Sequence, residues 1–197
     1  TRQNVVRAIK LLEMQRHAML MFTSCGWFFD EVSRVETRQC MLYAARAAQL
    51  CRELTGLDFE EDLKVNLAEA PSNIEQFGNA RRVYEYLVEP SKTDWQKTVA
   101  QYAIRLALLP EHPTPNRIYD FFLTGRQTEW HSLNSWSYGI GCTHYFDGIT
   151  YDEHHALFFC ITFGGVNVRC FVKHCEPNED TQHIRRRINE NIPKIID

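Results

Sequence analysis

The hydrophobic period of this chain changes near Asn134, which commits it to helices before that point and strands after it. Upstream, apolar residues recur every three or four positions. Downstream, Trp136, Tyr138, Ile140 and Cys142 alternate with Ser137, Gly139 and Gly141. A spacing near 3.6 turns one stripe of a helix inward, and a spacing of two turns one face of a strand inward. The chain therefore reads as α+β. An N-terminal helical bundle over residues 1–131 is followed by a small antiparallel sheet, built on a hairpin, with a terminal helix over 132–197.

Local start and stop signals divide the helical part. Val5, Ile9, Leu12 and Met19 mark a helix over 3–22 that closes near Ser24-Cys25-Gly26. Ser33-x-x-Glu36 has the form of a capping box and opens a helix ending near Leu54, with Gly56 just past its end. Its face of Cys40, Ala44, Ala47 and Cys51 is small enough for close helix approach. A third helix starts at Asp58-x-x-Glu61 and stops at Pro71, and Gly78-Asn79 opens a fourth over Ala80 to Val88. Thr93-x-x-Gln96 starts a fifth, striped by Trp95, Val99, Tyr102, Leu106 and Leu109. After Pro110 and Pro113, a short helix is expected from Pro115 to Leu123. Asp147-Gly148 is a turn signal, and Gly164-Gly165 joins Ala156–Phe163 to Val166–Lys173 as a β-hairpin. Ile184, Ile188 and Ile192 mark the terminal helix.

Composition narrows the function classes. The 197 residues are 44% hydrophobic and 24% charged, and the formal net charge is −3. That balance provides no electrostatic footprint for nucleic acid or an anionic membrane. Seven cysteines, an odd number with no Cys-x-x-Cys, suit reduced thiols packed as small hydrophobes. Val5 to Leu12 is interrupted by Arg7 and Lys10, unlike a signal peptide, and no apolar run nears the roughly 20 residues of a bilayer span. The reading is cytoplasmic. The first residue is Thr, and Ile192 to Asp197 end without a terminal signal, so both ends read as cut from a longer chain.

The most distinctive local cluster is Met21 to Glu31, where Trp27, Phe28 and Phe29 precede Asp30 and Glu31 between two long helices. Aromatic faces beside a carboxylate suit a sugar, whose C–H faces pack on a ring while its hydroxyls donate to the acid. On composition alone the favoured reading of the same residues is a plugged bundle end, with the acids near a helix N-terminus. Arg82, within Arg81-Arg82-Val83-Tyr84-Glu85, suits either a helix-surface ion-pair cluster or a ligand contact. No catalytic residue emerges. Cys25 sits at a helix C-terminus that opposes thiolate formation, and adjacent Asp30 and Glu31 seldom flank a glycosidic bond. Cys142-x-His144 and His174-Cys175 do not have zinc-ligand spacing, so no metal and no cofactor is expected.

The string from Leu12 to Glu31, continued by Glu36-Thr37 and Tyr43-Ala44-Ala45-Arg46-Ala47, resembles a domain of unknown function. That domain follows the catalytic barrel in proteins similar to glycoside hydrolase family 57, of the α-amylase/α-mannosidase-like kind. Gly78 to Glu85 and the hairpin Leu157 to Val172 resemble its later parts. The resemblance implies that the nucleophile and general acid lie on the preceding barrel. This chain would then complete the cleft, with Trp27 as a sugar platform and Asp30 as a hydroxyl partner. The implied partners are that barrel and a carbohydrate substrate, and an exposed apolar face near Trp27 is expected where the barrel docks.

Overall fold

The computed structural model describes residues 1–109, 117–133, 136–165, 167–177, and 182, 184, 186, 188 and 190. The side chains of 27, 126, 127 and 133 lie outside that description. Its described part is mixed α+β, with five α-helices and one antiparallel sheet of five strands. The chain divides into two compact units, Thr1–Lys92 and Thr93–Asp197. Among the described residues no helix is long and apolar enough to cross a membrane.

The first unit contains α1 (Arg2–Leu20), α2 (Val35–Thr55), α3 (Glu60–Leu67) and α4 (Ala80–Val83). Gly56 closes α2 at φ 78°, a left-handed backbone that glycine adopts without a Cβ clash. Asn79 caps α4 by accepting from the Arg82 amide. The turn then widens to a π-helix over Tyr84–Val88, and Pro90, lacking an N–H, stands in the 3-10 turn that follows. Met41 and Ala45 of α2 pack with Ala80, Val83, Tyr84 and Val88. The buried Tyr84 hydroxyl donates to Glu60 Oε1 at 2.9 Å, and Lys92 pairs with the same carboxylate.

Two expectations for this unit change. The capping box at Ser33 does not form. Arg34 occupies the N-cap, and the Ser33 amide donates instead to Glu31. On α1, Val5, Leu12 and Met19 are exposed, while Val6, Glu13, Met14 and His17 lie on the partly buried side. His17 meets Tyr43 of α2 with ring centroids 5.7 Å apart, and Lys10 pairs with Glu53 at 3.2 Å. Ring contact and ion pairing hold this side of the helix inward, leaving Val5, Leu12 and Met19 outward while Ile9 of the same stripe is partly buried.

The second unit begins with α5 (Trp95–Leu108), followed by β1 (Arg117–Ile118), β2 (Phe121–Leu133), β3 (Trp136–Asp147), β4 (Glu153–Thr162) and β5 (Val168–His174). The strands run in sequence order as an antiparallel meander, with an irregularity between Arg126 and Glu129. The helix expected from Pro115 to Leu123 is therefore corrected. Residues 117–118 and 121–123 are strand, and 110–116 lie outside the described residues. The sheet begins at Arg117, and the 131/132 boundary falls inside β2. The fifth helix packs on the sheet, its Val99, Tyr102 and Ala103 sharing a core with Leu123, Tyr145, Phe158 and Cys160. Its N-cap is Asp94 rather than Thr93, with the carboxylate accepting from the Lys97 amide at 2.7 Å.

The hairpin at Gly164-Gly165 forms with both glycines at positive φ, but its loop is longer than the two-residue turn expected: Thr162 pairs with Val168, where β5 begins, and residue 166 lies outside the described residues. On the opposite face, Ile140, Leu157 and Cys175 are covered by Ile184 and Ile188. Residues 138–141 are consequently buried on both sides of the pleat, although their sequence alternates. Gly125 makes room for the Tyr102 hydroxyl, which a Cβ there would meet at 2.5 Å.

Candidate functional site

Between α1 and α2 the chain makes a 3-10 turn over Ser24–Trp27 and then bends through Phe28, Phe29 and Asp30. A hydrogen bond and a close approach hold the turn against α2. Thr37 Oγ1 donates to the Gly26 carbonyl at 2.6 Å, and a Cβ on Gly26 would stand 2.5 Å from Cys40 Sγ. Glycine thus lets the turn lie flat against the helix.

Glu31 anchors the far end of the turn. Its carboxylate accepts from the Ser33 amide at 2.9 Å, from Ser72 Oγ at 2.7 Å and from the Asn73 amide at 2.6 Å. Asn73 returns a bond from Nδ2 to the Asp30 carbonyl at 2.7 Å. Desolvation pushes the Glu31 pKa up, but the donors at Ser72, Ser33 and Asn73 outweigh it and hold the value at about 2. Both Glu31 oxygens are therefore occupied internally, and its role is positional.

With the backbone so held, the side chains of Phe28, Phe29 and Asp30 face outward. Phe28 is 78% and Phe29 40% exposed, their rings edge to face with centroids 5.1 Å apart. The Arg34 guanidinium lies 4.4 Å over the Phe29 ring. Asp30 is exposed, and among the described residues its carboxylate has no hydrogen-bond or ion-pair partner. The Trp27 side chain lies outside the described residues. Toward α2, the turn borders an open depression of about 400 Å³ lined mainly by Leu20, Cys25, Val35, Glu36, Cys40 and Tyr43. Within it Glu36 Oε2 is buried without a hydrogen bond, 3.7 Å from Arg34 Nε.

Arg82 stands apart from this group. Its guanidinium lies 5.6 Å over the Tyr86 ring, and no described contact ties it to the Phe28–Glu31 turn. The ion-pair cluster belongs to its neighbour Arg81, which bonds Glu85 at 2.9 Å and Glu61 at 2.8 Å. The sequence reading missed Arg34, Ser72 and Asn73. Ser72-Asn73 follows Pro71 and precedes Gly78, a loop composition whose partner 42 positions away leaves no local mark.

Chemically, the turn offers two exposed rings, a free acceptor and an adjacent cation on a fixed backbone. Among the described residues it holds no nucleophile–base pair and no second carboxylate free to flank a scissile bond. No curated protein and no solved structure matches the chain. A family model matches residues 1–195. The chain belongs to the family described as Domain of unknown function (DUF3536).

Proposed function

We propose that this chain is the accessory, cleft-completing part of a family 57-like glycoside hydrolase or glucanotransferase acting on α-glucan or a related glycan, and is not catalytic alone. One observation supports this reading most. Phe28 and Asp30 project from a turn whose backbone Glu31 fixes, the ring exposed beside Phe29 and the carboxylate open to a donor. A sugar would rest its C–H face on the ring and donate a hydroxyl to Asp30. The test is kcat/KM on maltoheptaose of the enzyme carrying this chain. Phe28→Ala and Asp30→Ala are expected to lower it about tenfold each with the melting temperature unchanged. Wild-type values in both variants would reject the assignment.

A second reading, a non-enzymatic structural or protein-interaction module, is favoured by exposed Val5, Leu12 and Met19 on α1 and Phe22 just past its end. The two readings separate on one titration. Glycan-dependent shifts of the Phe28–Asp30 amide resonances belong to the first. A flat titration, with loss of a protein partner on Leu12→Glu, belongs to the second.

A further inference from the structure

The second unit carries another exposed aromatic group, at the end of the sheet where the β1–β2 and β3–β4 turns meet. The two turns are tied together, the Gly148 amide donating to the Asp120 carbonyl at 2.8 Å. Buried Asp147 stiffens the second turn by accepting from the amides of Ile149 at 2.8 Å and Thr150 at 3.1 Å. On this frame three rings form a row across the strands. Phe122 and Phe146 are register partners with centroids 6.0 Å apart, and Tyr151 stacks on Phe146 at 5.9 Å and 12°. The Arg117 guanidinium lies 5.4 Å over Phe122 and bonds Asp120 at 2.9 Å. Tyr151 is 47% and Phe122 41% exposed, Phe146 between them is partly buried, and Tyr119 in the adjoining β1–β2 turn is 82% exposed.

Both tyrosines sit in the left-handed region, Tyr119 at φ 55° and Tyr151 at φ 60°. Bulky side chains there are strained, and glycine or asparagine would fit without penalty. Folding alone thus gives no reason for tyrosine at Tyr119, whose ring is almost wholly in solvent. Such strain concentrates where a side chain serves a ligand.

We propose that this ring row is a second carbohydrate-binding surface, taking a neutral oligosaccharide. Tyr151 and Phe122, the two exposed rings of the row, each offer apolar surface on which the C–H face of a pyranose can pack. The Arg117–Asp120 pair supplies planar donors and acceptors for hydroxyls while adding no net charge, which selects against phosphorylated or acidic ligands. The same pair would have to be desolvated against a bilayer, which disfavours a lipid surface. The choice of ligand class rests on the proposed function, but the surface is separate from Phe28 and Asp30 in sequence and in structural unit.

Titration calorimetry with maltoheptaose and with cellohexaose, on the full chain, tests the inference. Wild type is expected to bind at least one of them. Tyr119→Gly relieves the backbone and should keep or raise the melting temperature while weakening binding at this surface about tenfold, and Phe122→Ala should weaken it similarly. A Phe28→Ala/Asp30→Ala chain keeps this binding whether or not the first-unit reading holds, so the two fail independently. Absence of binding to both sugars overturns the inference. Binding that survives Tyr119→Gly and Phe122→Ala unchanged also overturns it.

Discussion

Glu31 and Asp30 are neighbours with opposite fates, and the difference lies in what reaches them from elsewhere. Glu31 receives Ser72 and Asn73, which lie 41 and 42 positions on, whereas Asp30 gives only its carbonyl to that loop. In sequence they are an indistinguishable acidic pair. Because the folded pKa of Glu31 is about 2 against an ordinary 4.5, its contribution to stability is complete above pH 4.5 and is lost as pH falls toward 2. Glu31→Gln should lower stability by about 1 kcal/mol at pH 7, the half-exposed position trimming the usual value for a charged hydrogen bond. Urea titrations at several pH values should show a shallower loss of stability between pH 4.5 and 2 in the variant than in wild type. An unchanged slope would remove Glu31 from its anchoring role.

At the scale of elements, the helices before residue 109 were plain in the sequence, the one expected at 115–123 was not, and cap identity slipped by one residue. Asp94, not Thr93, accepts the amide at the start of α5, because the residue that caps is decided by which backbone leaves the helical region first. Asp94→Ala should cost about 1 kcal/mol, while Gln96→Ala, which would remove the N3 partner of a capping box begun at Thr93, should stay within about 0.5 kcal/mol. Thermal melts of the two variants decide between the two caps. In the sheet, Gly139 faces the Trp130 ring so closely that a Cβ would collide with it. Gly139→Ala should cost about 1–3 kcal/mol by overpacking, read as a lower urea midpoint with unchanged m-value.

For the whole molecule, the informative fact is that each unit holds its own core. Met41, Val83, Tyr84 and Val88 close one core, while Val99, Tyr102, Leu123 and Phe158 close the other. Residues 1–92 made alone should therefore give a helical circular-dichroism spectrum with cooperative melting, and residues 93–197 a β-rich one. In the second fragment, Phe158→Ala should cost about 3–5 kcal/mol, since the ring is fully buried. A first fragment that melts without cooperativity would refute the independent core.

What the sequence by itself determined was local. The stops at Gly56, the cap at Asn79, the Gly164-Gly165 hairpin and the α+β class all follow from backbone preferences and periodicity over a few residues. The exposed Phe28 and Asp30 could be nominated from the same string, though not distinguished from core residues. Only the tertiary structure decided which side of α1 turned inward, that α5 belongs to the sheet, and that 117–123 pairs as strand. It also decided that Glu31 anchors while Asp30 stays free. Each of these is settled by partners far along the chain, and strand pairing above all draws its stability from neighbours that no local window contains.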